Sequence, residues 1–182
     1  MSEVKKHTIA VLVDNEAGVL SQVSRLFSRK GYNIESLAVG TTDNPKVSRI
    51  TIEVLADDDH AYLLSNQLRK LIPVHSLKLL PPEKSIRREL LLLKVKAESG
   101  ERRNEIIQIA NIFRANIVDV SIGSLTLAMI GDESKTDALE KILEEFEVLE
   151  LARTGIVALE RGKETINEET KEKGELKKKK NV

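Results

Sequence analysis

Cysteine is absent from this chain, which excludes disulfides, thiolate metal sites and thiol nucleophiles. Tryptophan is absent too, and aromatic residues make up only 3%. Net charge is missing: Lys+Arg and Asp+Glu each number 29, so bulk charge selects neither nucleic acid nor a basic partner. No stretch approaches ~18 uncharged apolar residues and Met1 to Lys6 forms no signal peptide, so a cytoplasmic chain without membrane association is expected. Catalytic signatures are also lacking. There is no G-x-S-x-G elbow, no phosphate-binding Walker loop, no G-x-G-x-x-G and no H-E-x-x-H. His7, His60 and His75 fall on a strand start, a helix start and a short strand, with no ligand spacing among them. No active site and no metal site is read.

What is present is a core-forming pattern, since 41% of 182 residues are hydrophobic, enough for one large domain or two small ones. His7 to Asp14 alternates, with Ile9, Val11 and Val13 on one face of a strand. From Ala17 to Lys30 the stripe Val19, Val23, Leu26, Phe27 marks an amphipathic helix, stopped by Gly31. Between them stands Asp14-Asn15-Glu16-Ala17-Gly18-Val19-Leu20. A helix start exposes unpaired N–H groups and partial positive charge, and a glycine there lets a carboxylate approach the backbone. The plainer reading is a helix capped by Asp14 or Asn15, with Gly18 merely tolerated.

The chain continues with a strand over Asn33 to Thr42, a turn at Asp43-Asn44-Pro45, and a strand over Val47 to Ala56. Asp57-Asp58-Asp59 supplies a cap for a helix carrying Ala61, Leu64, Leu68, Leu71 and Ile72, which Pro73 ends. Val74 to Leu80 closes the unit as a strand. The order β-α-β-β-α-β predicts an α+β, ferredoxin-like fold. Pro81-Pro82-Glu83-Lys84-Ser85 punctuates the chain, and the plan repeats. Glu89 to Ala97 is a strand and Glu101 to Arg114 a helix with Ile106, Ile109, Ala110 and Phe113. Ile117 to Ile122 and Leu125 to Ile130 are strands. A helix capped by Ser134 carries Leu139, Ile142, Leu143 and Phe146, and Val148 to Leu159 is the last strand. The expected domains are 1–80, a linker 81–86, a second ferredoxin-like unit 87–161, and a charged, disordered tail 162–182 ending in Lys177-Lys178-Lys179-Lys180.

Leu90-Leu91-Leu92-Leu93 is apolar on both faces of its strand. Helices on one side only leave the other face to water, so a second sheet or subunit is expected to cover it. Leu12, Leu77 and Leu79 are read as a milder case in the first unit, opposite its core stripe.

The block Asp14 to Leu20, followed by Leu26-Phe27-Ser28-Arg29-Lys30-Gly31-Tyr32-Asn33-Ile34-Glu35-Ser36-Leu37 and Ser48-Arg49-Ile50-Thr51-Ile52, resembles the ACT domain of acetolactate (acetohydroxyacid) synthase small, regulatory subunits. Arg88-Glu89-Leu90, Ile112-Phe113-Arg114-Ala115, Ile117-Val118-Asp119-Val120 and Ala152-Arg153-Thr154-Gly155-Ile156-Val157-Ala158 resemble the C-terminal domain of that family. The likeness runs over roughly residues 5–161. It implies a non-catalytic chain that dimerises through its ACT domains and binds a large subunit carrying thiamine diphosphate, FAD and magnesium. Such chains raise the activity of that subunit and confer feedback inhibition by valine. The implied pocket, at the meeting of two ACT domains, uses Asn15, Gly18, Val19 and Leu20 of one copy with Asn33 and Ile34 of the other. The amides of Gly18, Val19 and Leu20 would take the carboxylate, Asn15 and Asn33 the ammonium, and Ile34 would form an apolar wall. The second unit has Ser99-Gly100-Glu101-Arg102 at the equivalent junction, and no pocket is expected there. Two other readings remain open: a free-standing ACT-type amino-acid sensor acting on another protein, and a small-molecule enzyme on a ferredoxin-like scaffold.

Overall fold

The computed structural model describes residues 3–169. The chain forms two compact units. The first runs to Ile86 and takes in the described residues from Ala158 onward; the second is Arg87–Val157.

The first unit contains β1 (Lys5–Asp14), α1 (Val19–Arg29), β2 (Ile34–Thr41), β3 (Val47–Ala56), α2 (Asp58–Leu68) and β4 (Val74–Leu79). Its antiparallel sheet has the order β2-β3-β1-β4. Ile9, Val11, Val13, Ile50, Ile52 and Val54 face Val19, Val23 and Phe27 of α1 and Leu64 and Leu68 of α2 in one core. This is the expected βαββαβ unit. Gly31 follows α1 in the left-handed conformation, φ 73°, and stops it, because a side chain is disfavoured there. Asp57 caps α2 by accepting from the His60 amide at 2.8 Å.

Three side chains lie elsewhere than the sequence reading placed them. Leu77 and Leu79 join the core rather than the opposite face. The register steps from Leu12↔Ser76 to Val13↔Val74, so β4 has an extra residue, His75, at a bulge. The bulge brings Val74 and Leu77 to the same face despite their odd spacing. Ile72 is 91% exposed, since α2 ends at Leu68, well before Pro73.

The other face of this sheet is covered as well. Thr8, Ala10, Thr51, Glu53 and Ser76 are buried on it. Ile166, in a 3₁₀ turn over Ile166–Glu169, is itself buried, and that turn packs on β4 and β1. Residue 162 and the turn at 166–169, expected to belong to a disordered tail, are thus part of the described structure; the rest of that expected tail, Lys177 to Lys180 included, lies outside the described residues.

The second unit contains β5 (Ser85–Ala97, starting at the end of the first unit), α3 (Gly100–Phe113), β6 (Asn116–Ser121), β7 (Gly123–Gly131), α4 (Glu133–Leu143) and β8 (Val148–Arg153). The sheet order is β6-β7-β5-β8. Leu91, Leu93, Val95, Leu125, Leu127 and Met129 pack against Ile106, Ala110, Leu139 and Leu143. The single final strand expected over Val148 to Leu159 is two, β8 and β9 (Val157–Glu160), separated at Gly155, φ 76°. The opposite face keeps Leu92 and Ile130 exposed beside the ion pair Lys94–Glu150.

Asp132, not Ser134, caps α4. Its carboxylate accepts from the Lys135 amide at 3.1 Å and from Ser134 Oγ at 2.8 Å. These bonds hold the Asp132 pKa below the ordinary carboxylate value. Asp132→Ala is expected to cost about 1 kcal/mol and Ser134→Ala less than half of that, measured by denaturant unfolding. A carboxylate whose pKa is depressed on folding contributes above its unfolded pKa. The gap between wild type and Asp132→Ala should therefore narrow as pH falls below about 4.

Candidate functional site

Helix α1 opens without a side-chain cap. Its N-cap is Gly18, at φ 87° and ψ −11°, and no side chain accepts from the first turn. Among the described residues, the other three α-helices are capped by Asp57, Ser99 and Asp132. The first turn of α1 also carries no acidic residue. The cap offered by Asp14 or Asn15 in the plainer reading is not formed. A Cβ built on Gly18 meets nothing within 4 Å, so open space lies beside Gly18 itself. Gly18 is thus required by its left-handed φ, which L side chains adopt at a cost of roughly 1–2 kcal/mol, rather than by crowding.

Asn15 lies in the loop before Gly18 and is tied on all sides. Its backbone amide donates to Lys46 O at 2.8 Å. Its Nδ2 donates to Pro45 O at 2.9 Å, and its Oδ1 accepts from Ser48 Oγ at 3.0 Å. The preceding residue is held too: Asp14 N–H donates to Pro73 O at 2.9 Å, and Asp14 Oδ1 lies 2.7 Å from His75 Nε2. The loop is therefore pinned from the β2–β3 turn and from β4. Sequence reasoning missed Pro45, Ser48 and His75, because no local spacing announces partners this far along the chain. One lone pair of Asn15 Oδ1 remains for a further donor.

Val19 and Leu20 divide their labour. The Val19 side chain is buried in the core, and its amide donates to Glu16 O at a long 3.4 Å. Leu20 is exposed. Asn33 is exposed just ahead of β2 and donates from Nδ2 to Glu35 Oε1 at 2.9 Å. Ile34 opens β2, half-buried against the core.

Within one chain these two groups stay apart. Ile34 and His7 both pair with Val54, so the start of β2 is level with the start of β1. The loop follows the far end of β1, at Asp14. Seven residues of strand separate the two levels, roughly 23 Å at 3.3 Å per residue.

No group of three or more His, Asp or Glu side chains suited to a metal ion occurs among the described residues. His60 and His75 each face a carboxylate, of Asp57 and Asp14, at 2.8 and 2.7 Å. No helix among the described residues is long and apolar enough to cross a membrane.

Paired βαββαβ units with a glycine-opened first helix define an ACT-type, ferredoxin-like protein. Residues 9–76 match the family described as the AHAS small subunit-like ACT domain, and residues 88–162 the family described as the small subunit of acetolactate synthase. The acetolactate synthase small subunit of Mycobacterium bovis is 47% identical over 158 residues, covering 87% of this chain and 94% of that protein. A probable acetolactate synthase small subunit of Archaeoglobus fulgidus is 48% identical over 157 residues, 86% of this chain and 98% of that one. The crystal structure of the Thermotoga maritima acetolactate synthase small subunit superposes with a TM-score of 0.81 at 38% identity, covering 87% of this chain and 98% of its own.

The chain belongs to the acetolactate synthase small subunits. It is accordingly a regulatory component of that enzyme, partnered by a catalytic large subunit.

Proposed function

We propose that this chain senses valine and sets the activity of the acetolactate synthase large subunit, in the cytoplasm, as the feedback control of branched-chain amino acid synthesis. The large subunit, with thiamine diphosphate, FAD and magnesium, carries out the formation of acetolactate from pyruvate. The small subunit raises that activity, and valine bound to the small subunit withdraws the gain. The observation that carries the binding step is the uncapped first turn of α1, opened by Gly18 onto free space. Amides there suit a carboxylate, and no local side chain competes for them.

The pocket is shared by two copies. β2 is an edge strand of the first sheet, and its end at Thr41 pairs with Ser48, the residue bonded to Asn15. Antiparallel pairing of β2 with β2 of a second copy sets the start of one strand beside the end of the other. Asn33 and Ile34 of each copy then reach the Asn15–Leu20 loop of its neighbour. The ligand's carboxylate meets the amides of Gly18, Val19 and Leu20, its ammonium meets the Asn15 and Asn33 oxygens, and Ile34 contacts its side chain. A two-fold interface of this kind yields two equivalent pockets.

A methylene is worth only ~0.8 kcal/mol, so these residues rank valine, leucine and isoleucine within a few-fold of one another. Valine is named on membership of the family. Calorimetry of the purified chain with each of the three, together with assay of the large subunit with and without the chain, tests the proposal. Expected are saturable binding of valine, a gain of activity on mixing, and its loss when valine is added. A chain that activates the large subunit but binds none of the three amino acids would refute the sensor.

A further inference from the structure

Ser48 and Arg49 are neighbours on β3 and point to opposite faces of the first sheet. On the helix side, Ser48 Oγ donates to Asn15 Oδ1 at 3.0 Å, in the loop assigned above to the ligand. On the other side, Arg49 Nη2 donates to the carbonyl of Ala158 at 2.7 Å. Arg49 is more than half buried, and burial lowers its pKa. A guanidinium nonetheless stays charged at neutral pH, so this is a charge-assisted bond in a partly dry setting.

Ala158 begins the segment that returns from the second unit to the first. The segment is fastened along its length. Glu160 is ion-paired with Lys78 of β4, and Arg161 N–H donates to Lys84 O at 2.8 Å. Ile166 is buried where the segment packs on β4 and β1. Its first residue follows directly on Val157, the last residue of the second unit.

We propose that residues 158–169 form a strap that reports occupation of the Asn15–Leu20 loop to the second unit, with Arg49 as the positioning residue that couples them. The inference rests on the valine-sensing function proposed above. Its physical basis is a shared oxygen. A ligand ammonium that takes the second lone pair of Asn15 Oδ1 draws on an atom already accepting from Ser48 and weakens that bond. Arg49 follows Ser48 on β3, so a displacement of the strand at Ser48 moves Arg49 and with it the bond to the Ala158 carbonyl on the other face. The ligand thus acts differently on the two settings of the strap, as any ligand-driven shift requires.

Hydrogen exchange of the wild-type chain is followed with and without saturating valine. Amides of residues 158–167 are expected to change protection together with those of the loop. In parallel, Arg49→Met, which keeps the apolar stem, and Arg49→Lys, which keeps the charge, are assayed for valine binding and for inhibition of the reconstituted enzyme. Arg49→Met is expected to bind valine within about twofold of wild type, while its half-inhibiting concentration rises by about tenfold or more, within the usual span of allosteric coupling. Arg49→Lys should recover part of the inhibition. A variant that only loosened the fold would weaken binding and inhibition alike, and that result would overturn the assignment. Exchange in 158–167 that ignores valine, or Arg49→Met inhibited as wild type, would also overturn it while leaving the sensor intact. A wild-type chain that binds no valine would end both.

Discussion

Gly18→Asp is expected to abolish inhibition by valine and to weaken valine binding at least 100-fold, with the chain still folded and still associated with the large subunit. The position tolerates the change structurally. A Cβ at Gly18 meets nothing within 4 Å, and the cost of a side chain at φ 87° is roughly 1–2 kcal/mol, less for aspartate, which enters the left-handed region more readily than most residues. The new carboxylate stands at the mouth of α1, beside the first-turn amides. It thereby takes the place of the ligand's own carboxylate and repels it. Each charge-assisted hydrogen bond lost is worth about 1.5–3 kcal/mol, roughly a 10- to 100-fold loss of affinity, and more than one is lost here. Calorimetry and an inhibition curve read the outcome. Full inhibition in a Gly18→Asp enzyme of normal composition would place the effector elsewhere.

Phe27→Ala is expected to destabilise the first unit by about 3–5 kcal/mol. Phe27 is 1% exposed and packs among Val19, Val23, Ile50, Ile52 and Leu64, between α1 and the sheet. Its ring is not readily replaced by collapse of neighbours, because Ile50 and Ile52 are held on β3, a strand paired on both sides. A loss of that size is a large part of the stability of a small domain, and it moves a thermal midpoint by more than about 12 °C. Ile72→Ala is the paired control. Ile72 is 91% exposed, so its removal should stay within about 0.5 kcal/mol. Equal losses in the two variants would mean that the core has been misassigned.

That contrast marks what the sequence did and did not make legible. Both residues lie on apolar stripes of helical period, and both were read as core. Period locates Phe27 correctly because α1 continues past it to Arg29. It misplaces Ile72 because α2 stops at Leu68, five residues before Pro73. Strand parity failed once for a similar reason: alternation cannot foresee the bulge at His75 that turns Leu77 inward. The βαββαβ order of both units survived these slips, since it depends on the existence of elements and not on their ends.

At the site, the Gly18 opening could be read from composition and spacing at the helix start. The clamps on Asn15 could not, because Pro45, Lys46 and Ser48 meet it only when β3 pairs with β1. The return of residues 158–169 to the first sheet was likewise invisible. The segment is largely charged, and only Ile166 among its last described side chains is buried.

Mixing two defective chains tests most directly whether one amino-acid pocket is built from two copies. Gly18→Asp breaks the helix-opening half, and Asn33→Lys breaks the strand half by setting an ammonium against the ligand's. Each homodimer should bind no valine. In the mixed dimer one pocket gathers both defects and the other is intact, so random exchange of subunits should restore about one quarter of the wild-type binding capacity at wild-type affinity. A mixture that binds no more valine than its two components would contradict a shared pocket and, with it, this account of the protein as a feedback sensor.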